Sequence, residues 1–288
     1  MKIGVFATFM SPIATPKFIA DFGRHAEDAG LDSIWMGEHV VLFDRTEFPY
    51  PGSRDGKLPV PEGGGMLDTV ASFGFLAAAT QRLRFGTGIA LISQRNPVYT
   101  AKEFATLDWL SSGRMDFGIG VGWCKEEVLA SGYSWPDRGA RSDEFLELVT
   151  QLWTQPVVNF QGKHFQVAGA RLDPKPVQQP HLPIIVGGHS AAGMRRAARY
   201  GAGWYGFAIN VEQTAAALQQ LDKALAAEQR GRAGFEIVIT PPYRLTDDML
   251  RGYADLGVDR VVAQLGSQKQ DAVDLKLKEL ERFVRIAA

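Results

Sequence analysis

Residues 29–39 read Ala29-Gly-Leu-Asp-Ser-Ile-Trp-Met-Gly-Glu-His39. A helical pattern ends at Gly30, a short apolar β run fills Ser33 to Met36, and a titratable pair, Glu38 and His39, stands at the carboxyl end of that strand. In alternating β/α proteins the strands are packed with apolar side chains while the loops leaving their carboxyl ends carry polar groups, so chemistry collects on that rim. The same helix-to-strand step recurs along the chain. Ile3 to Phe9 is an apolar β run, and Thr15-Pro16 supplies an N-cap and a proline at the first helical position of the helix that closes at Gly30. Met66 to Thr80 reads as a helix and Leu83 to Ile92 as the third strand. Asn96-Pro97 repeats the cap logic, and Gly113 ends that helix before a fourth strand, Arg114 to Val121. After the helical pattern of Asp143 to Trp153, the alternation over Val157 to Val167 around Gln161-Gly162 predicts an inserted hairpin. Pro183 to Val186, Gly203 to Ala208, Phe235 to Thr240 and Arg260 to Leu265 complete the set of strands, interleaved with helices near Met194, over Ala215 to Gln229 and over Thr246 to Leu256.

Eight strands alternating with helices in 288 residues, a little more than the typical ~250, predict a closed (β/α)8 TIM barrel with insertion segments, as one domain over 1–288. An open doubly wound sheet is the alternative. It is weakened because Gly118-Ile-Gly-Val-Gly-Trp123 lacks the third glycine of a dinucleotide fingerprint and no Walker-type lysine follows a glycine-rich loop. Val40 to Gly65 is irregular and rich in proline and glycine. Structureless connections beyond ~12–15 residues are uncommon in compact domains and often cover binding sites, so residues 40–65, leaving the rim that carries His39, are expected to form a lid, with a plain surface excursion as the alternative.

Composition narrows the function. Lys plus Arg (31) balance Asp plus Glu (32) for a formal charge of −1, with 45% hydrophobic residues. No basic run long enough to track a phosphate backbone is present, so nucleic acid is not an expected partner. No apolar run approaches the ~18 residues of a membrane span, and Ser11-Pro12 interrupts the opening apolar stretch, which reads as a strand rather than a leader. A single cysteine, Cys124, forbids an internal disulfide and agrees with a cytoplasmic setting. The five histidines are scattered without H-x-H or H-E-x-x-H spacing, so no metal is expected.

Four segments carry a family likeness: Ala29 to His39, Leu83-Arg-Phe-Gly-Thr-Gly-Ile89 with Arg95-Asn-Pro97, Ser112-Gly-Arg-Met-Asp-Phe-Gly-Ile-Gly-Val-Gly-Trp123, and Pro183-Ile-Ile-Val-Gly-Gly188. In order and content they resemble the luciferase-like monooxygenase superfamily. Gly-x-Gly-x-Gly-Trp followed by Arg138-Gly-Ala-Arg141 is most similar to its branch using the deazaflavin coenzyme F420. The resemblance implies an oxidoreductase that exchanges hydride between coenzyme F420 and a small organic substrate, acting as a homodimer. The alternatives are a monooxygenase using reduced FMN and oxygen, and a non-catalytic flavin-binding barrel.

Candidate residues follow. His39 titrates near neutrality and suits proton transfer, and the resemblance places it at the reactive edge of the coenzyme; Glu38, on the other face of the strand, either orients neighbours or pairs with an arginine. Gly187-Gly188 before His189-Ser190 at a helix start offers free amides and the positive helix end to a phosphate, with an ordinary turn and Ser190 N-cap as the alternative. For Gly88–Ile89 the resemblance implies a non-prolyl cis peptide supporting the coenzyme ring, with a plain glycine kink as the alternative. Gly120, Gly122 and Trp123 are expected to leave space and an aromatic edge for that ring, with Trp123 as an ordinary core residue the alternative. Arg138 and Arg141 are expected to meet the phosphate and carboxylates of the coenzyme tail, or else to pair with Asp143 and Glu144.

Overall fold

The computed structural model describes residues 1–50, 53, 55–265 and 270–287. Its centre is a ring of parallel strands: β1 (Lys2–Phe6), β2 (Ser33–Met36), β3 (Arg84–Thr87), β5 (Met115–Gly120), β8 (Ile184–Gly187), β9 (Gly203–Phe207), β10 (Glu236–Thr240) and β11 (Arg260–Gln264). Each pairs with the next, β3 passes to β5, and β11 returns to β1 with Lys2 opposite Arg260 and Phe6 opposite Gln264, so the barrel is closed. The open-sheet alternative is excluded. β4 (Ala90–Leu91) also pairs with β5, continuing the course of β3 after a break. β6 (Val158–Gln161) and β7 (Gln166–Ala170) form the antiparallel hairpin.

Nine helices are found among the described residues: α1 (Pro16–Asp28), α2 (Thr69–Ala79), α3 (Pro97–Leu110), α4 (Lys125–Ala130), α5 (Arg138–Thr154), α6 (Ala191–Tyr200), α7 (Val211–Ala227), α8 (Asp247–Asp255) and α9 (Gln270–Ala287). The helix starts follow the capping residues read in the sequence. The Thr15 hydroxyl accepts from the Phe18 amide at 3.2 Å, and the Asn96 side chain accepts from the amides of Val98 and Tyr99. None of the described helices is long and apolar enough to cross a membrane.

Alternation along the strands divides the core. Ile34, Met36, Phe85 and Phe117 face outward and pack against helices together with Phe73 and Phe104, all fully or almost fully buried. The inner layer is Trp35, Ile185, Tyr205, Val238 and Val262, with Trp35 stacked on Tyr205 at 5.2 Å between ring centroids. Glycine makes room for this tryptophan: a Cβ on Gly86 would fall 2.4 Å from its ring. Below that layer, at the amino end of the strands, Arg84, Asp116, Arg260 and Glu236 form a charged floor.

The structure departs from the expected element limits in several places. The third strand does not run unbroken over Leu83 to Ile92; it stops at Thr87, resumes as the two residues of β4, and gives way to a 3₁₀ turn at Ile92–Gln94. The helix expected over Asp143 to Trp153 begins five residues earlier, at Arg138. The helices α4 and α9 were not anticipated. Of the expected lid, Pro51, Gly52 and Arg54 lie outside the described residues.

Candidate active site

A cavity of about 560 Å³ opens at the carboxyl ends of the strands. Its wall draws on β1, on Gly37 to His39 after β2 and on Tyr50, Leu58 and Pro59 on one side of the ring, and on β8, β9 and the starts of α6 and α7 across from them. His39, Glu38, Gly88, Ile89, Gly120, Gly122, Trp123, Gly187, Gly188 and Ser190 all line it. Arg138 and Arg141 do not.

His39 follows β2 and is held by a residue that the sequence reading missed. Its Nδ1 lies 2.7 Å from Oε2 of Glu127, a fully buried side chain on α4, and the other oxygen of Glu127 accepts from the Val40 amide at 3.0 Å. A carboxylate accepts, so Nδ1 carries the hydrogen, and in the neutral imidazole Nε2 keeps the lone pair. No described residue bonds Nε2. The ring also sits 5.8 Å from Trp123 and 6.4 Å from Tyr50, an aromatic wall assembled from the loop after β5 and from the loop over 40–65. Burial raises the pKa of the Tyr50 phenol, keeping it protonated.

Glu38 takes the arginine-paired option. Both its oxygens accept from Nε of Arg95, at 2.9 and 3.1 Å, and Oε2 also accepts from the Leu91 amide at 2.7 Å. A buried carboxylate needs such compensation. It fixes β4 and the following turn against β2.

The peptide between Gly88 and Ile89 is cis. Ile89 projects into the barrel mouth between two glycines: a Cβ on Gly120 would lie 1.9 Å from its Cδ1, and one on Gly187 would lie 3.0 Å from its Cγ2. The bare backbone at 120 and 187 is therefore what lets Ile89 form an apolar ledge. Gly122, at φ +78°, turns the chain out of β5 toward Trp123.

Across the mouth, Gly188 adopts φ +112°, a conformation natural only to glycine, and the Ser190 hydroxyl accepts from the Gly193 amide at 3.1 Å as the N-cap of α6. Spacing of three brings Ser190, Gly193 and Arg196 to one helix face beside the cavity. Arg196 was not singled out from the sequence. Its guanidinium is buried and steadied by Asp143 Oδ1 at 2.7 Å and the Gly139 carbonyl at 3.1 Å. Burial also lowers the pKa of the neighbouring His189.

Neither expected arginine reaches this region. Arg138 lies 3.7 Å above the Trp135 ring, and Arg141 is buried between Asp137, the Ser93 carbonyl and the Tyr133 ring. The pairing with Asp143 and Glu144 is absent too, because Asp143 serves Arg196 and Glu144 accepts from the hairpin amides of Lys163 and His164. Cys124, buried and close to Glu127 and Glu126, has its thiol pushed up to about 11, so it is a thiol and not a thiolate near neutrality.

The profile of the luciferase-like monooxygenase family matches residues 1–261. The chain belongs to that family. An uncharacterized protein of Mycobacterium tuberculosis is 31% identical over 254 residues, covering 86% of this chain and 87% of that protein. An F420-dependent glucose-6-phosphate dehydrogenase of Amycolatopsis mediterranei is 31% identical over 177 residues, 60% of this chain and 48% of that enzyme. The barrel also superimposes on an F420-dependent secondary alcohol dehydrogenase in complex with an F420-acetone adduct, with TM-score 0.78, 19% identity and 99% of each chain covered. A monooxygenase from Streptomyces bottropensis has TM-score 0.78 at 20% identity, covering 100% of this chain and 99% of its own. The structural likenesses speak to the fold.

Proposed function

We propose that this luciferase-like oxidoreductase uses coenzyme F420 and exchanges hydride with a small organic substrate, His39 accepting or donating the accompanying proton through Nε2. The observation that carries the reading is the single cavity wall that joins the Glu127-held His39, the Ile89 ledge and the start of α6. The residues suit the group. Ile89, with bare backbone at Gly88 and Gly120, would bear a flat ring; Gly188, Ser190 and Arg196 would hold the phosphate-bearing tail, through amides, the helix N-terminus and a guanidinium. When bound, the deazaflavin supplies a carbon centre that takes or gives a hydride and reacts poorly with oxygen.

The protein's contribution is placement and proton handling. Glu127 fixes the tautomer of His39, Trp123 and Tyr50 restrict water around the imidazole, and the loop over 40–65, which brings Tyr50, acts as the lid. Glu38 is a positioning residue, since Arg95 and the Leu91 amide already occupy its oxygens. The relatives that name F420 support the deazaflavin over FMN, whose ring the same cavity would accept.

The test is a side-by-side binding titration of the bare protein with coenzyme F420 and FMN. Saturable F420 binding with weaker FMN binding is expected; tight FMN binding with none for F420 would reverse the reading in favour of a reduced-FMN monooxygenase.

A further inference from the structure

We infer that the half of the cavity between β1 and the loop over 40–65 is a subsite for an uncharged, mainly apolar organic molecule, and that it rejects substrates bearing phosphate or carboxylate. The inference deepens the proposed function and rests on its placement of the coenzyme across the mouth.

This half is walled by Met10, Tyr50, Leu58, Pro59, Met66 and Trp123. Its shape is fixed by backbone pairing: Met10 and Met66 form an antiparallel bridge, the Ser11 amide donates to the Gly65 carbonyl at 2.9 Å, and the Leu67 amide donates to Phe9 at 2.9 Å. The Ser11 and Leu67 amides, consumed in this way, cannot turn toward an anion. Among the described residues that line the cavity there is no lysine, and Arg196 is the one arginine. It belongs to α6, beyond β8, and β8 stands opposite β1 in the ring.

The carboxylate that lines the cavity on this side is Glu38. Its oxygens are taken up by Arg95, and Nδ1 of His39 is taken up by Glu127, which lies outside the lining. A phosphate entering here would shed its water, meet neither lysine nor arginine and approach the Glu38 carboxylate, a cost that no ammonium or guanidinium offsets. A neutral carbonyl or carbinol loses little on entry and can still meet the His39 imidazole. The protonated Tyr50 phenol adds a hydroxyl without charge.

The test uses the protein loaded with whichever coenzyme the titration identifies, and reads binding by calorimetry with cyclohexanone and with glucose 6-phosphate. Saturable binding of cyclohexanone and none of glucose 6-phosphate is expected. Met66→Arg should weaken cyclohexanone at least about tenfold while changing coenzyme affinity less than about twofold, with an unchanged melting temperature reporting an intact fold. Tyr50→Phe, which keeps ring and volume, should retain cyclohexanone binding. Saturable glucose 6-phosphate binding that displaces cyclohexanone overturns the inference, as does a folded Met66→Arg protein that binds the ketone as before. Failure of both coenzymes to bind would instead remove the proposed function, and the same ketone titration on the bare protein would still decide the subsite.

Discussion

Nδ1 of His39 and Oε2 of Glu127 stand 2.7 Å apart although 88 residues separate them in the chain. The carboxylate also accepts from the Val40 amide, so it is pinned on one side by backbone and on the other by the imidazole. An imidazole so held presents Nε2 in a single orientation and tautomer, the condition for efficient proton transfer. Replacing Glu127 with alanine should lower kcat by about 10²-fold, within the range that general acid–base catalysis supplies, while KM changes little. Nitrogen NMR of the His39 ring separates positioning from mere support of the fold: wild type should show hydrogen on Nδ1, and the variant a mixture of tautomers. A variant with full kcat would remove Glu127 from the mechanism.

The Ile89 ledge depends on the missing side chain at 120. Because a Cβ there would lie 1.9 Å from Ile89 Cδ1, Gly120→Ala should force the isoleucine to rotate into the space given to the coenzyme ring. Rotation of a side-chain end is cheap for the fold, so the expected loss is about tenfold or more in coenzyme affinity with little change in melting temperature. Adding Ile89→Val deletes the colliding methyl and should recover most of that affinity. No recovery in the double variant would mean that the two positions do not meet as described. By contrast, Gly86→Ala drives a Cβ into the rigid, buried Trp35 ring and should destabilise by about 3 kcal/mol.

His189 predicts a pH dependence of stability. Burial holds its pKa below the ordinary 6.5. The unfolded chain then binds the proton more readily than the folded one, so this contribution to stability is complete above about 6.5 and is lost as pH falls from there toward the folded-state value. In chemical unfolding, the advantage of wild type over His189→Asn should shrink between about pH 7.5 and pH 5.5. An advantage independent of pH would show that His189 titrates alike in both states.

Much of the barrel was legible because burial imposes a period. Inward and outward faces give strands such as Ser33–Met36 their apolar runs, and caps such as Thr15 and Asn96 are local signals that folding leaves in place. The break at Gly88–Ile89 was not evident from hydrophobicity, since apolar residues stand on both sides of it, from Phe85 to Ile92, with Thr87 as the exception. Glu127 was hidden for a different reason: α4 has only six residues, and the partner that gives the glutamate meaning comes from another strand. Arg138 and Arg141 were misplaced because the start of α5 was set five residues late, and in the first turn of that helix they face Trp135, Tyr133 and Asp137. Val273, Leu277, Leu280 and Phe283 bury one side of α9 at helical spacing, a readable pattern that the count of strands left unread.

The floor of the barrel makes the strongest stability prediction. Arg260 is almost fully buried, with Nη1 2.9 Å from Asp116, Nη2 2.9 Å from Glu236 and Nε 3.3 Å from Asp32, and its guanidinium 5.5 Å from the Trp35 ring centre. One cation thus answers carboxylates from β5, β10 and the turn before β2, while Arg84 answers Asp116 from β3. Removing one member of a buried ionic group leaves charge without compensation, which costs more than the intact group contributes. Arg260→Met, close in volume and apolar, should therefore destabilise by about 3–5 kcal/mol in urea unfolding near neutral pH. Desolvation already raises the pKa of Glu236, and without Arg260 that carboxyl would protonate more readily still. Its neutralisation relieves the repulsion, so the loss should be smaller near pH ~5 than near pH ~7. A loss below about 1 kcal/mol at neutral pH would mean that water or the remaining Arg84 satisfies the three carboxylates unaided.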